Sequence, residues 1–142
     1  MRTIALRFGE NIAPSEGTIV SHQTMINKNG YVWYGKFGAP VSKKVSSVIL
    51  ESDNPKILLI QSGRSKRYWA YIDDIQWEKP RSGSYPSYYE QAINRFKTWF
   101  RVIKIEEAPS DIMANCYVAS SGASLAHASR SSMSPYFIIE TE

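Results

Sequence analysis

Aromatic rings stand next to cationic side chains in three short segments of the chain, and a fourth short segment contains three tyrosines. The segments are residues 33–36, 64–71, 85–89 and 99–101. Nucleic-acid bases stack on aromatic faces with about 1 to 3 kcal/mol per base, and neighbouring cations can hold phosphates. Because aromatic strand residues are also common in protein cores, a core position is the alternative for any single ring. Together the segments predict a binding site for a nucleic acid or a nucleotide.

The predicted ligand-binding residues fall into three chemical groups. The rings expected to form pocket walls are Trp33, Trp69, Tyr71 and Trp99, and further aromatic contacts are predicted for Tyr34, Tyr88 and Tyr89. The cations expected to hold phosphate are Lys36, Arg64, Lys66 and Arg67. Hydroxyl contacts to a base edge or a phosphate are predicted for Ser120, Ser121 and Ser132. These serines belong to the serine-rich residues 120–134, for which a flexible linker is the alternative.

The formal net charge of +4 conceals an uneven distribution. Between Lys28 and Lys104 lie 14 of the 17 basic residues but only six acids, so this stretch has an excess of eight positive charges. Such an excess can attract an anionic partner, whose affinity then falls as the salt concentration rises. A solvated surface of lysines and arginines is the alternative interpretation.

Catalytic motifs are scarce in the sequence. It has neither a glycine-rich phosphate loop nor a nucleophile elbow. Asp73 and Asp74 are adjacent in a predicted strand, so they point to opposite faces and do not form a close acid and base pair. With one cysteine, Cys116, and two histidines, the sequence predicts no metal site and no cofactor. A small hydrolase or nuclease that uses His22 or His127 is the alternative function.

Length and composition indicate one domain over residues 1–142. The chain is 43% hydrophobic and 13% aromatic, which is enough apolar surface for one core. No apolar run approaches the roughly 18 residues that cross a bilayer. The N-terminus alternates charged and apolar residues, unlike a signal peptide. We therefore expect a cytoplasmic protein that does not span a membrane.

The elements that must position the candidate residues are mostly strands. Hydrophobic alternation and turn signals predict strands at residues 3–8, 31–38, 45–51, 56–61, 67–75, 98–106, 116–119 and 135–140. The continuous apolar run within 56–61 predicts the centre of the sheet and an antiparallel hairpin with 67–75. Alternation in 98–106 places Trp99 and Ile105 on one face. Two helices are predicted, one from Thr18 to the stop signal at Gly30, and one from Tyr88 towards Arg95. For the second helix, Ser87 and Glu90 match a capping box. Six to eight strands with two or three short helices predict a curved, largely antiparallel α+β sheet or small barrel.

The order of these elements resembles a known group of small domains. Residues 57–75, the short helix at Tyr88 and the strand Thr98-Trp-Phe-Arg-Val are similar in order to EVE-like members of the PUA-like superfamily, which also includes PUA, ASCH and YTH domains. The resemblance covers residues 30–105 and implies a small, strongly curved, mostly antiparallel β-barrel. It also implies recognition of a modified or flipped base in DNA or RNA, with aromatic side chains on both faces of the base.

The leading hypothesis is a non-catalytic module that binds DNA, RNA or a nucleotide, with Lys and Arg beside an aromatic pocket. A third hypothesis, besides the hydrolase, is a protein-interaction accessory factor of a mobile element or a defence system. Its aromatic surface would then meet another protein.

Overall fold

The computed structural model describes residues 1–61 and 63–141. Within these residues the strands are β1 (Arg2–Arg7), β2 (Val32–Phe37), β3 (Lys56–Ile60), β4 (Tyr68–Gln76), β5 (Phe96–Glu107), β6 (Cys116–Val118) and β7 (Tyr136–Thr141). The α-helices are α1 (Gly17–Asn29), α2 (Lys43–Leu50), α3 (Ile112–Asn115) and α4 (Leu125–Ser131), and a 3₁₀ helix spans Ser87–Arg95. The chain is α+β as predicted, with more helical segments than the two or three expected.

All seven strands belong to one mixed sheet in the order β2-β5-β4-β3-β1-β7-β6. Neighbouring strands are antiparallel except β1 and β3, which are parallel. The central position of β3, predicted from its continuous apolar sequence, is confirmed, and so is the antiparallel pairing of β3 with β4. Among the described residues the ladder does not close on itself, because β2 and β6 remain as edges, so a barrel is not confirmed.

The open sheet nevertheless curves until its edge strand β2 approaches β1 and β7. Tyr34 of β2 and Leu6 of β1 lie in the same core cluster, which fills the inner face together with residues of α1 and α2. The ammonium of Lys36 on β2 lies 4.6 Å from the ring centre of Tyr136 on β7. A second core cluster lies on the opposite face, under α3 and α4. Strands far apart in the sheet order therefore meet through their side chains.

Helix α1 forms where the apolar spacing predicted it. Thr18, His22 and Ile26, four residues apart, form its buried face. Its first turn is capped from outside the helix, because the carboxylate of Glu10 accepts a hydrogen bond from the Thr18 N–H at 2.9 Å. It ends at Gly30, whose φ of 86° needs glycine, as the stop signal predicted.

The strand predicted at residues 45–51 is wrong, since this segment is helix α2. The β-branched Val45, Val48 and Ile49 favour a strand by intrinsic preference. Ser42, however, starts a helix, because its hydroxyl accepts a hydrogen bond from the Val45 N–H at 3.1 Å. Ile49 is buried in the inner core while Val48 stays exposed, which is the one-sided burial of an amphipathic helix. The cap and the packing outweigh the preference of the individual residues.

The short helix after residues 80–86 forms, but its predicted capping box is wrong. Ser87 makes no side-chain cap, and the carboxylate of Glu90 instead accepts a hydrogen bond from the phenol of Tyr85. The segment is a 3₁₀ helix with a break at Ala92. Its first turn carries Tyr88 and Tyr89, which places both rings near β2.

A bulge in β5 changes the faces expected from simple alternation. Ala70 of β4 pairs with Ile105, but Ile72 pairs with Val102, so β5 holds one additional residue between these pairs. Ile105 consequently packs with Val102 against the inner core, whereas alternation predicted it on the face of Trp99. Trp99 lies in a separate cluster of aromatic residues.

Candidate functional site

A pocket of about 230 Å³ lies where the curved sheet brings β1 and β2 together. The end of β1, the start of α1, strand β2 and the 3₁₀ helix all contribute to its wall. Its aromatic lining consists of Phe8, Tyr34, Phe37, Tyr88, Tyr89 and Phe96. Two cations, Arg7 and Lys36, also line it. An apolar cavity with a few convergent polar groups is the usual form of a ligand site.

One wall of this pocket is fixed by a hydrogen-bond network around the phenol of Tyr89. Nδ1 of His22 lies 2.8 Å from the carbonyl oxygen of Thr18, which can only accept, so Nδ1 carries the ring proton. Nε2 of the neutral ring then accepts a hydrogen bond from the Tyr89 hydroxyl at 2.9 Å. The same hydroxyl accepts a hydrogen bond from the Gly35 N–H at 3.2 Å. Helix α1, the 3₁₀ helix and β2 are thus linked by hydrogen bonds to the hydroxyl oxygen of Tyr89.

Burial determines the charge state of this network. His22 is 1% exposed, and desolvation lowers its pKa to about 4, more than the hydrogen bond to Thr18 raises it. Burial likewise raises the pKa values of Tyr34 and Tyr89 well above the ordinary value. Near neutral pH the network is therefore uncharged. Because both ring nitrogens of His22 are occupied, this residue positions Tyr89 and does not serve as an accessible base.

Gly35 allows β2 to lie directly against the ring of Phe96. A Cβ on Gly35 would come 2.8 Å from Cγ of Phe96, closer than non-bonded carbon atoms approach. The Phe96 ring in turn stacks on Tyr89 at 4.2 Å between ring centres. A glycine inside a strand is typical of a close approach by another group, and at Gly35 that group is the Phe96 ring.

Lys36 brings a positive charge into this largely apolar surrounding. Its side chain is 5% exposed, and burial lowers the pKa of its ammonium. The ammonium donates hydrogen bonds to the carbonyl oxygens of Phe37 at 3.1 Å and Ala39 at 2.6 Å. No carboxylate of residues 1–61 or 63–141 lies within 4.0 Å of it. The charge is thus held by dipoles and by the Tyr136 ring.

Tyr88 stands at the mouth of the pocket. Its ring is half-buried and meets Tyr89 edge to face, with ring centres 5.1 Å apart. Burial raises the pKa of its phenol, so the hydroxyl stays protonated and can donate. Four predicted site residues, Tyr34, Lys36, Tyr88 and Tyr89, therefore line one pocket.

The tryptophans predicted as pocket walls lie elsewhere. Trp33 and Trp99 are buried with Tyr85, Tyr89 and Phe96 in one aromatic cluster. Trp69 is 4% exposed and packs in the second core, with the Lys56 ammonium 4.3 Å from its ring centre. The three tryptophans thus do not converge on one cleft, and contact of any of them with a ligand stays a prediction.

Tyr71 is half-buried beside Trp69 and donates a hydrogen bond to the carboxylate of Glu106. This hydrogen bond, with a smaller contribution from burial, raises the pKa of Tyr71 to about 12. The same bond lowers the pKa of Glu106. Tyr71 therefore already has a protein partner on the sheet surface, outside the aromatic pocket.

The predicted phosphate-binding cations and polar contacts are divided between other surfaces. Arg64 and Arg67 line a second cleft with Arg7 and Arg130, whereas Lys66 is exposed and pairs with Glu107 at 3.6 Å. The hydroxyls of Ser121 and Ser132 accept hydrogen bonds from the nearby Ala123 and Ser134 N–H groups. Ser120 is exposed and lines a shallow groove with Tyr136. The serine-rich segment is ordered around α4.

Several pocket residues were not predicted from sequence. Arg7 and Phe8 at the end of β1, Thr18 at the start of α1, and Phe96 at the start of β5 all line the pocket. None of them lies in the four segments from which the binding site was predicted, although Phe96 is only three residues before Trp99. In the sequence they are marked only by their positions at the ends of strands and a helix. These positions indicate a pocket only when the curvature of the sheet is known.

His127, the other candidate for catalysis, lies exposed in α4. In the part of the chain that the structure describes, no group of three or more His, Cys, Asp and Glu residues is arranged to hold a metal ion. No helix of that part is both long and apolar enough to cross a bilayer.

The fold and the pocket define a small α+β domain in which a curved sheet encloses an aromatic, cation-bearing cavity. A family model described as Pua-like matches residues 4–136. The chain therefore belongs to the PUA-like family, as the order of its elements predicted. No curated protein and no solved structure shows significant similarity to it.

Proposed function

We propose that the chain is a non-catalytic module that binds DNA, RNA or a nucleotide by holding one base in the aromatic pocket. The observation that carries this proposal is the meeting of Tyr34, Tyr88 and Phe37 with the buried ammonium of Lys36 in one cavity. Flat rings accept a base by stacking, and a base enters such a cavity when it is unpaired or flipped out of a duplex.

Lys36 supplies the polar part of this recognition. An ammonium has three N–H donors, and two of them are used by the carbonyls of Phe37 and Ala39. The remaining N–H is available for an acceptor atom on a base edge or a phosphate. A charged donor in a poorly solvated cavity forms a stronger hydrogen bond than a neutral one.

Family membership supports the same class of ligand, because PUA-like domains commonly bind RNA or other nucleic acids. The excess of eight positive charges between Lys28 and Lys104 favours an anionic partner. In its more specific form, the proposal is that the pocket recognises a modified or flipped base rather than a paired one.

The first test measures binding and its dependence on salt. Fluorescence anisotropy with labelled single-stranded DNA and RNA should detect binding at low salt that weakens as salt rises. Absence of binding at low salt, or an affinity independent of salt, would remove the main support for the proposal.

The second test asks whether the pocket holds the base. Tyr88→Ala should weaken binding about tenfold, as expected for one lost stacking contact, and Tyr117→Ala is the exposed tyrosine control. Lys36→Met should weaken binding to a similar extent, with Lys28→Met as the exposed lysine control. If the pocket variants bind as tightly as their controls, the base does not occupy this pocket. Competition with modified and unmodified nucleosides then measures which base is preferred.

A further inference from the structure

The second cleft, of about 250 Å³, is lined by four arginines from three parts of the chain. Arg7 ends β1, Arg64 and Arg67 belong to the connection between β3 and β4, and Arg130 lies near the end of α4. Arg64 and Arg67, which were predicted to hold phosphate, lie in the basic stretch between Lys28 and Lys104, whereas Arg7 and Arg130 lie outside it. Only the fold brings these four guanidinium groups to one surface.

Among the described residues, three arginines of this cleft, Arg64, Arg67 and Arg130, lack the acidic partners that other cations of the protein have. Arg2, Lys66, Arg101 and Lys104 each pair with a carboxylate. No carboxylate of the described residues lies within 4.0 Å of the guanidinium of Arg64, Arg67 or Arg130.

Two acids, Glu10 and Glu16, line an adjacent groove that shares Arg64, and Glu107 pairs with Lys66 beside Arg67. The Glu10 carboxylate is already engaged, since it accepts the hydrogen bond from the Thr18 N–H. The guanidinium charges of Arg64, Arg67 and Arg130 thus have no carboxylate partner among the described residues and suit an external anion.

Arg67 gives a second, independent indication. One of its terminal nitrogens donates a hydrogen bond to the carbonyl oxygen of Ser65 at 2.6 Å. Its Nε, in contrast, is buried and has no hydrogen-bond partner among the described residues. A buried N–H without an acceptor is destabilising, and an anionic oxygen bound within hydrogen-bond distance of Nε would supply the missing acceptor.

Arg7 connects the cleft to the aromatic pocket, because it lines both. Its guanidinium donates hydrogen bonds to the carbonyl oxygens of Ser129 at 2.6 Å, Ser132 at 2.8 Å and Ser134 at 2.9 Å. These bonds hold the end of α4, and with it Arg130, against β1. Arg7 therefore positions the cleft as well as separating it from the pocket.

We infer that the arginine cleft binds a phosphate group of the same nucleic acid or nucleotide whose base is proposed to enter the aromatic pocket. The inference rests on the proposed function and extends it by assigning the phosphate site. Guanidinium groups match phosphate oxygens with paired N–H donors, and the shared wall at Arg7 makes the two sites neighbours. The phosphate comes either from the backbone of a strand or from a free nucleotide.

The test replaces the two exposed arginines of the cleft, Arg64→Gln with Arg130→Gln, so that the fold is left intact. The control, Lys28→Gln with Lys44→Gln, removes the same charge from exposed sites on α1 and α2. For a single-stranded oligonucleotide, the cleft variant should bind about tenfold more weakly. The magnitude of its slope of log K against log salt should fall by about 0.7, the value for one lost phosphate contact on a single strand.

A second arm compares a nucleoside with its 5′-monophosphate by calorimetry. If the cleft variant loses a preference for the monophosphate, the phosphate belongs to the nucleotide itself. If only oligonucleotide binding changes, it belongs to the strand backbone. Either result supports a phosphate-binding site in the arginine cleft.

Equal affinity and equal salt slope in the cleft and control variants would overturn the cleft while leaving the proposed function intact. If the cleft variant binds about tenfold more weakly as expected but Tyr88→Ala has no effect, the phosphate site is supported and the proposal that the base enters the aromatic pocket is wrong. Absence of binding by the unmodified protein would overturn both.

Discussion

Tyr89 donates a hydrogen bond to Nε2 of His22 across 2.9 Å, while the opposite ring nitrogen donates to a backbone carbonyl. A histidine engaged in this way is kept neutral, because protonation would place a second proton on the nitrogen that accepts from Tyr89. The pocket wall therefore depends on the protonation state of a residue that does not line the cavity.

Stability should fall in acid because of His22. Its pKa is about 4 in the folded protein and about 6.5 when unfolded, so the unfolded state binds a proton first as the pH decreases. The contribution is fully present above pH 6.5 and is lost progressively towards pH 4, by about 3 kcal/mol. Urea unfolding at several pH values should show this loss, and His22→Gln should remove it.

His127→Gln is the control for this effect and should keep the pH dependence of the unmodified protein. An NMR titration of the two histidine rings gives an independent measurement. A His22 resonance that titrates near pH 6.5 would contradict the prediction.

Gly35→Ala should destabilise the protein by about 1 to 3 kcal/mol, because its Cβ would collide with the Phe96 ring. Gly9→Ala is a matched control at the same pocket, since the nearest described atom beyond its chain neighbours, Nδ2 of Asn11, lies 4.0 Å from the added Cβ. It should change the free energy of unfolding by no more than about 0.5 kcal/mol. Equal stability of the two variants would show that β2 and Phe96 are not in close contact.

Trp69→Ala should lower the free energy of unfolding by about 3 to 5 kcal/mol, because a buried ring of the second core is removed. Tyr117→Ala removes an exposed ring and should have little effect. Denaturant unfolding measures the free energy of unfolding of both variants and of the unmodified protein. An unchanged stability for Trp69→Ala, together with lost ligand affinity, would restore Trp69 as a wall of the binding site.

Glu106→Gln should bring the pKa of Tyr71 down from about 12 towards 10, because the hydrogen bond to the carboxylate, and with it the carboxylate charge, is removed. At pH 11 the Tyr71 phenol should be protonated in the unmodified protein and ionised in the variant. Carbon NMR shifts of the tyrosine rings report this, with Glu107→Gln as the control. A Tyr71 that titrates identically in both would place its hydroxyl outside the Glu106 interaction.

Local sequence signals were sufficient for most of the sheet. Alternation and turn residues identified β1, β3, β4 and β7, and the apolar run of β3 correctly indicated burial on both faces. They failed at α2, where the hydrogen bond from the Val45 N–H to Ser42 and the burial of Ile49 together outweigh the strand preference of β-branched residues. They also failed at Ile105, because a bulge is not visible in the pattern of apolar residues.

The candidate site was predicted only where chain neighbours share it. Tyr34 and Lys36 lie on one strand, Tyr88 and Tyr89 on one helical turn, and all four were identified. Arg7 and Phe96 come from distant positions, and only the curvature of the sheet brings them to the cavity. The emphasis on tryptophan reflects its size, which suits a core cluster at least as well as a pocket wall.

The gap between β2 and β7 has a mechanical consequence. Across it the described strands share no ladder hydrogen bonds, and the contact is made by side chains such as Lys36 and Tyr136. Side chains can shift by fractions of an ångström without breaking a ladder, whereas paired strands are held at a fixed spacing. The pocket lies beside this seam, so small side-chain shifts can change its width while the sheet remains unchanged, which would let the proposed site accept bases of different size.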